Sequence, residues 1–326
     1  MAEMTRVQVP KNLPALVKSA FQRARDNGAL LYYATQVTIL NVGSIPFQLR
    51  YSPALASKPK AAKPKDPDAK PFNPFENPAP GLLVAQLPPA HRLVLNKFAV
   101  VPEHFILVTK EVKPQTHVLE KDDIAAAYAC IEAYDRSGQE LFVFFNSGKH
   151  SGASQPHRHL QLLPVARMQD GLEQVERGET WSVLADKLDE HAQTLPFAVM
   201  KAAITPGMSV EARHDTYLDL YKRAVNAVTP NVEVPSEGEA NISYNLAMTK
   251  TSMAICPRTG EGAAIRNKTG QEVGYVSLNG TVLAGTALVK NQAEWDALGE
   301  DSSLLLGVLN EIGIKPSING SAAGNL

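Results

Sequence analysis

Two histidines and a glutamine alternate at positions 157, 159 and 161 of this 326-residue chain. In a β-strand, successive side chains point to opposite faces of the sheet. His157, His159 and Gln161 then form one polar row, while Leu160 and Leu162 lie on the other face. An imidazole in such a row can act as a nucleophile, bind a metal or form only a polar edge.

Small residues precede the row. Between Asn146 and His157 lie the serines and glycines Ser147, Gly148, Ser151, Gly152 and Ser154. Serine hydroxyls and free backbone N–H groups can come close to the oxygen atoms of an anion. A nucleophile beside an anion site is suited to transfer of a phosphorus-linked group. A metal would need a third ligand on the same face, where Gln161 is a poor donor, so we expect no protein-held metal.

The residues His-Arg-His-Leu-Gln-Leu-Leu at 157–163 resemble the histidine triad signature in its transferase form, which has glutamine in the third position. The longer stretch 146–157 resembles the fungal-type diadenosine tetraphosphate phosphorylases, also called ATP adenylyltransferases. Further similar segments lie at 93–98, 101–105, 243–246, 257–258 and 279–290. The resemblance covers roughly residues 30–295.

The resemblance implies that His159 is the nucleophile. It would attack the α-phosphorus of diadenosine tetraphosphate, expel ATP and carry AMP, and inorganic phosphate would then take the AMP to give ADP. The same reaction can run in reverse. His157 would orient the row, and Gln161 would donate a hydrogen bond to a phosphate oxygen. Because an amide is not a proton source, Gln161 favours transfer over hydrolysis.

The resemblance also implies a set of substrate contacts. The residues that we expect to bind substrate are Asn96, Lys97, Asn146, Ser147, Gly148, Ser151, Ser154, Lys58 and Lys290. Lys149 and Arg258 are further candidates to neutralise or cover the polyphosphate. Each lysine can equally be an exposed, solvated side chain, and Asn96 can equally serve a turn. We expect Mg²⁺ to accompany the polyphosphate, without a protein cage of its own.

Helices and strands around the row must position these residues. Apolar residues at helical spacing predict helices at 11–26 and 121–135, and β-branched and aromatic runs predict strands on both sides of the row. This order predicts an α+β fold with an antiparallel sheet flanked by helices. The resemblance implies that the sheet is histidine-triad-like and that a C-terminal extension packs on the same core. We expect a catalytic domain at 1–200 and an ATP adenylyltransferase domain at 201–326. Eight prolines between residues 53 and 80 predict an irregular loop.

Composition limits the classes of partner. The net charge is −1, from 32 basic and 33 acidic residues, which argues against nucleic acid or anionic membranes as partners. Two cysteines, Cys130 and Cys256, give neither a disulfide framework nor a Cys-x-x-Cys zinc motif. We expect a cytoplasmic location, with nuclear access open, and small-molecule substrates: diadenosine tetraphosphate, phosphate, ATP and ADP. The resemblance favours a monomer.

Three other functions stay open. A hexose-1-phosphate uridylyltransferase of the galactose-1-phosphate type has the same row, but typically with His-Pro-His where this chain has Arg158. A histidine triad hydrolase is disfavoured by Gln161. A non-catalytic dinucleotide-binding module belongs to another class, and His159 argues against it because a binder needs no nucleophile.

Overall fold

The α-helices of this computed structural model are distributed along the whole length of the residues that it describes. The structure describes residues 7–57, 72–174 and 180–316. The α-helices in these ranges are α1 (Leu13–Asp26), α2 (Lys121–Asp135), α3 (Val165–Met168), α4 (Leu184–Lys187), α5 (Val210–Val228), α6 (Gln292–Glu300) and α7 (Ser303–Ile312). None of these described helices combines the length and apolarity that a membrane span requires.

Local sequence explains where the two longest helices, α2 and α5, begin. In α2 the side chain of Glu120 accepts from the backbone N–H of Asp123, and the Asp123 carboxylate accepts from the N–H of Glu120, which is a capping box. In α5 the hydroxyl of Ser209 accepts from the N–H of Ala212 at 3.1 Å. Both helices therefore begin at residues that satisfy their free N–H groups.

Fifteen strands occupy the described ranges. They are β1 (Leu31–Tyr32), β2 (Gln36–Val42), β3 (Ile45–Tyr51), β4 (Leu83–Leu87), β5 (His91–Leu95), β6 (Phe98–Ala99), β7 (Phe105–Thr109), β8 (Leu141–Ser147), β9 (His159–Pro164), β10 (Met200–Ala203), β11 (Ser243–Met248), β12 (Ser252–Arg258), β13 (Gly262–Arg266), β14 (Glu272–Ser277) and β15 (Thr286–Val289).

An eight-stranded antiparallel sheet forms the centre, in the order β10-β12-β11-β8-β9-β7-β5-β4. A second sheet has the order β15-β3-β2, with β15 parallel to β3 and β2 antiparallel to it. Two small pairs, β1 with β6 and β13 with β14, complete the strands of the described residues. The strand that begins at His159, β9, thus lies in the interior of the main sheet.

The main sheet has a helical face and a mixed face. Apolar side chains of α1, α2 and α5 bury the helical face, where Leu160 and Leu162 belong to the same core. On the mixed face the second sheet, β13, α6 and α7 cover the side of the sheet around β8, β11 and β12. Over β5 and β7 that face is covered by a small cluster instead: Phe75, Val94, Ile106 and Val108.

This architecture confirms the predicted α+β fold with an antiparallel sheet, flanking helices and a C-terminal extension on the same core. The helix predicted at 121–135 is α2, and the one predicted at 11–26 is α1. The extension reaches the core directly, because β11 pairs with β8 in the main sheet. The division at residue 200 stays a prediction.

Candidate functional site

The strand β9 presents the polar row on the mixed face of the main sheet. It begins at His159, between β8 and β7, and His157 lies just before it. Leu160 and Leu162 point into the helical core, as the alternation predicts. His159 and Gln161 therefore lie on the opposite face, beside the cluster around Phe75.

The His159 ring is held in one orientation and one protonation state. Its Nδ1 lies 2.8 Å from the backbone oxygen of His157, so this bond assigns the ring proton to Nδ1. The lone pair is then on Nε2. His159 is only 3% exposed, and its ring centroid is 4.9 Å from that of Phe75. Burial lowers the pKa of His159 to about 4, so the imidazole is neutral at pH 7.

Both ring nitrogens of His157 form hydrogen bonds to other segments of the chain. Its Nε2 lies 2.9 Å from the backbone oxygen of Thr109, which identifies Nε2 as the protonated nitrogen. Its Nδ1 then accepts from Nδ2 of Asn73 at 3.0 Å. Burial lowers the pKa of His157, so it too favours the neutral form. The side chain thereby ties the start of β9 to β7 and to the segment that carries Phe75.

Gln161 has a buried histidine as its neighbour on this face. Gln161 is paired with Ile106 in β7, and His104 lies two residues before Ile106, on the same face. Nδ2 of Asn96 donates a hydrogen bond to Nδ1 of His104 at 3.1 Å. Burial lowers the pKa of His104 to about 4, against the opposing influence of the Gln161 amide. Asn96 also accepts from the N–H of Phe98, so it serves the turn after β5.

Arg158 points to the other face and anchors the row to α2. Its Nη1 donates to Asp123 Oδ2 at 2.8 Å and to Glu120 Oε1 at 2.9 Å. The second oxygen of Asp123 lies 2.8 Å from Nε2 of His91. Burial by itself would raise the pKa of Asp123, but the bond from His91 and the charge of Arg158 outweigh it, and the pKa is lowered. The carboxylate is therefore charged and paired beneath the row.

The segment that pairs with the backbone of the row on the β8 side changes at His159. The sequence did not predict this change. Pairing between β8 and β9 ends at Phe144 with Gln161. Before His159 the neighbour is instead the segment 113–115: Pro114 bridges His157, and the N–H of Arg158 donates to the oxygen of Lys113 at 2.7 Å. No local periodicity marks this segment as part of the sheet.

The side chain of Gln115 occupies the junction. Its Nε2 donates to the backbone oxygen of Asn146 at 2.8 Å and to that of His159 at 3.1 Å. Its Oε1 accepts from the N–H of His159 at 2.7 Å. The amide thus bonds both backbone groups of the candidate nucleophile, and Gln115 is only 2% exposed.

The predicted phosphate-contact stretch begins at the end of β8 and turns sharply. Gly148 has φ of 82°, and a Cβ there would lie 2.4 Å from Oγ of Ser243. The Ser151 hydroxyl donates to the backbone oxygen of Gly148 at 2.6 Å, which closes the turn. Ser147 is fully buried, and its hydroxyl has no hydrogen-bond partner among the described residues, whereas Ser154 is exposed. The glycine is required by the turn itself.

Asn146 connects this stretch to the C-terminal extension. Its Oδ1 accepts from Nδ2 of Asn245 at 2.9 Å and from the N–H of Gly280 at 2.8 Å. Arg258 is buried, and its guanidinium bonds Asn245 Oδ1 and backbone oxygens that include that of Leu278, at 2.9 Å. Arg258 thus lies inside the extension as a link in this network.

The predicted lysines are at the surface. Lys97, Lys149 and Lys290 are exposed, and within residues 7–57, 72–174 and 180–316 their ammonium groups form no hydrogen bond or ion pair. The ammonium of Lys97 lies 5.8 Å from the ring centroid of Phe98. Lys58 lies outside the described residues. The structure therefore brings the row and the glycine turn together, while the lysine contacts stay predictions.

The donor set favours covalent chemistry on nitrogen. A buried, neutral imidazole with its proton fixed on one nitrogen has a directed lone pair on the other. Cys130 and Cys256 are buried, and burial raises the pKa of each thiol to about 12. In the part of the chain that the structure describes, no cluster of three or more His, Cys, Asp or Glu side chains could hold a metal ion. His159 is the strongest candidate nucleophile of the site.

Comparison with known families gives two matches along the chain. The model of the Ap4A phosphorylase N-terminal domain matches residues 3–175. The model of the ATP adenylyltransferase C-terminal domain matches residues 193–315. The first match includes the whole row and the glycine turn, and the second includes Asn245, Arg258 and Gly280.

Similar proteins are found in Saccharomyces cerevisiae. Diadenosine 5',5'''-P1,P4-tetraphosphate phosphorylase 2 is 30% identical over 335 residues, which cover 95% of this chain and 98% of that protein. Protein APA1 is 27% identical over 334 residues, covering 96% and 98%. The crystal structure of yeast Ap4A phosphorylase Apa2 matches with a TM-score of 0.73 at 26% identity, over 96% of this chain and 97% of that one. The fold is therefore shared along almost the entire length of each protein.

Proposed function

This chain belongs to the Ap4A phosphorylase family of nucleotidyltransferases, and we propose that it cleaves diadenosine tetraphosphate (Ap4A) with inorganic phosphate through an AMP adduct on His159. The products are ADP and ATP, and the reaction is reversible. The observation that carries the proposal is the state of the His159 ring. It is buried and neutral, with Nδ1 bonded to the His157 oxygen and the lone pair on Nε2.

In the first step, Nε2 of His159 attacks the α-phosphorus of Ap4A. A bond forms between Nε2 and phosphorus, and the bond from phosphorus to the bridging oxygen breaks, so that ATP leaves with that electron pair. The ring becomes positively charged because it keeps its proton on Nδ1. The His157 backbone oxygen, 2.8 Å from Nδ1, stabilises this charge, since a carbonyl dipole accepts more strongly from a cationic donor. No proton transfer to the leaving group is needed, because ATP leaves as an anion.

In the second step, an oxygen of inorganic phosphate attacks the phosphorus of the adduct. The nitrogen–phosphorus bond breaks, ADP forms, and His159 returns to its neutral state. The Gln161 amide is placed on the same face and donates to a phosphate oxygen in both steps. It supplies no proton to activate water, so phosphate is the preferred acceptor. We expect Mg²⁺ to enter with the polyphosphate and to offset its charge.

The direct test follows products from Ap4A with and without phosphate. We expect equimolar ADP and ATP that depend on phosphate, and no turnover in His159→Ala. A matched control is His191→Ala, a partly buried histidine in the segment after α4. Two molecules of ADP, or AMP formed without phosphate, would contradict phosphorolysis.

The adduct needs a separate test. The chain is mixed with Ap4A in the absence of phosphate, quenched without acid and mapped by mass spectrometry. AMP on His159 supports the covalent step, and AMP on His157 or on no residue refutes it. Parallel incubation with UDP-glucose and galactose 1-phosphate tests the uridylyltransferase alternative, for which we expect no product.

A further inference from the structure

An unpaired stretch of the main sheet coincides with the candidate nucleophile. The ladder between β8 and β9 stops at Phe144 with Gln161, two residue pairs before Asn146 would meet His159. In an uninterrupted antiparallel ladder, the N–H and C=O of His159 and Asn146 would be within reach of each other. Here the strands part, and the Gln115 amide lies between them.

The Gln115 amide replaces these backbone bonds. Its NH₂ group donates to the oxygens of both Asn146 and His159, and its oxygen accepts from the His159 N–H. A primary amide is the side chain that offers two donors and an acceptor within so small a volume. Gln115 is in turn fixed by its own backbone, because its N–H donates to the oxygen of Pro156 at 2.8 Å. The insertion is thus bonded to both strands and anchored at the segment before the row.

We propose that Gln115 is a positioning residue for catalysis, which holds His159 at a fixed separation from the Asn146–Gly148 turn. The separation matters because the imidazole comes from one strand and the phosphate-contact turn from the other. The α-phosphorus must lie between them, in line with Nε2. A spacer bonded to both backbones sets the distance between nucleophile and electrophile without contacting the substrate. This inference rests on the proposed function of His159.

The test compares two substitutions of nearly equal size. Gln115→Met keeps the volume and loses all three hydrogen bonds. Gln115→Glu keeps the acceptor for the His159 N–H but, when ionised, cannot donate to the two backbone oxygens. We expect kcat to fall about 100-fold in each variant at pH 8, as for a nucleophile displaced by about 1 Å, with KM changed less than about threefold. Gln139→Met and Gln139→Glu, at an exposed glutamine, are the matched controls.

The pH profile separates positioning from a merely structural role. A carboxyl at this buried site beside two carbonyl oxygens titrates well above its ordinary pKa. As it protonates, it regains one donor, so the activity of Gln115→Glu relative to wild type should rise at least about tenfold from pH 8 to pH 5.5. Gln115→Met should show no such recovery. A constant ratio for Gln115→Glu at every pH, or wild-type kcat in Gln115→Met, would overturn the proposal.

Hydrogen exchange, measured without substrate, distinguishes a wrong positioning role for Gln115 from a wrong proposed function. The His159 amide proton is bonded to Gln115 Oε1 in the wild type, so its hydrogen exchange should accelerate in Gln115→Met and not in Gln139→Met. If the wild type shows no phosphorolysis, the proposed function is wrong. The exchange of the His159 amide proton still tests whether Gln115 holds the backbone of His159. Unchanged exchange in Gln115→Met refutes the spacer itself. If Gln115→Met does not fold, the pH profile of Gln115→Glu decides.

Discussion

Acidification from pH 7 to pH 5 should destabilise the folded chain through two histidines, His104 and His159. Burial lowers the pKa of each to about 4, against 6.5 for an ordinary imidazole. Below pH 6.5 the unfolded chain binds protons that the folded chain does not. The stability that these two groups provide is therefore complete above pH 6.5, and it is lost as the pH falls toward 4.

The linkage relation gives the size of the effect. For each histidine, the free energy of unfolding should be about 2 kcal/mol lower at pH 5 than at pH 7, and about 3 kcal/mol lower below pH 4. Replacing either by glutamine removes its titration. The loss between pH 7 and pH 5 should then shrink by about 2 kcal/mol in His104→Gln and in His159→Gln. His159 contributes to the lowered pKa of His104. In the double variant, the stability loss between pH 7 and pH 5 should therefore shrink by slightly less than the sum of the two single-variant effects.

Urea unfolding at the two pH values measures this loss, with the fluorescence of buried Trp181 as the probe. His117→Gln, which removes a partly exposed imidazole, is the matched control. If both glutamine variants lose as much stability as the wild type between pH 7 and pH 5, the pKa values of the two imidazoles are not lowered in the folded state. Burial would then not keep His159 in its neutral form.

Three further substitutions test the surroundings of the row. Gly148→Ala should destabilise the chain by about 1–3 kcal/mol in urea unfolding, because of its positive φ and the contact with Ser243. Phe75→Ala should raise the pKa of His159 toward its ordinary value near 6.5, which NMR titration of the ring would detect; an unchanged pKa would show that Phe75 does not control its hydration. Arg158→Met should cost about 3–5 kcal/mol of stability, because the buried Asp123 carboxylate loses its cationic partner and keeps only its bond with His91. A cost near zero in urea unfolding would contradict this pairing.

The parts of the fold that could be predicted are the segments in which apolar residues recur at regular spacing. The alternation of His159, Leu160, Gln161 and Leu162 reflects the two faces of one strand, and the structure confirms it. The helix at 121–135 has apolar residues at helical spacing and a capping pair at its start. In such segments the order of apolar and polar residues indicates which face of the helix or strand is buried.

The parts that could not be predicted depend on contacts between distant segments. Gln115 reaches His159 and Asn146 through its side chain, and neither the loop that carries it nor its neighbours show a pattern. Asn146 is bonded to Asn245 and Gly280, which only the sheet order and the path of the extension bring near. Local periodicity contains no information on such pairs. The roles assigned to the substrate-contact residues remain predictions.

The continuity of the main sheet has a consequence for any attempt to shorten the protein. β8 is hydrogen-bonded to β9 on one side and to β11 on the other. A fragment that stopped near residue 200 would lack β11, and β8 would become an edge strand with an open row of N–H and C=O groups. Such an edge invites pairing with another copy of the same strand. Expressed alone, the half of the chain that carries the histidines would aggregate instead of forming a minimal enzyme.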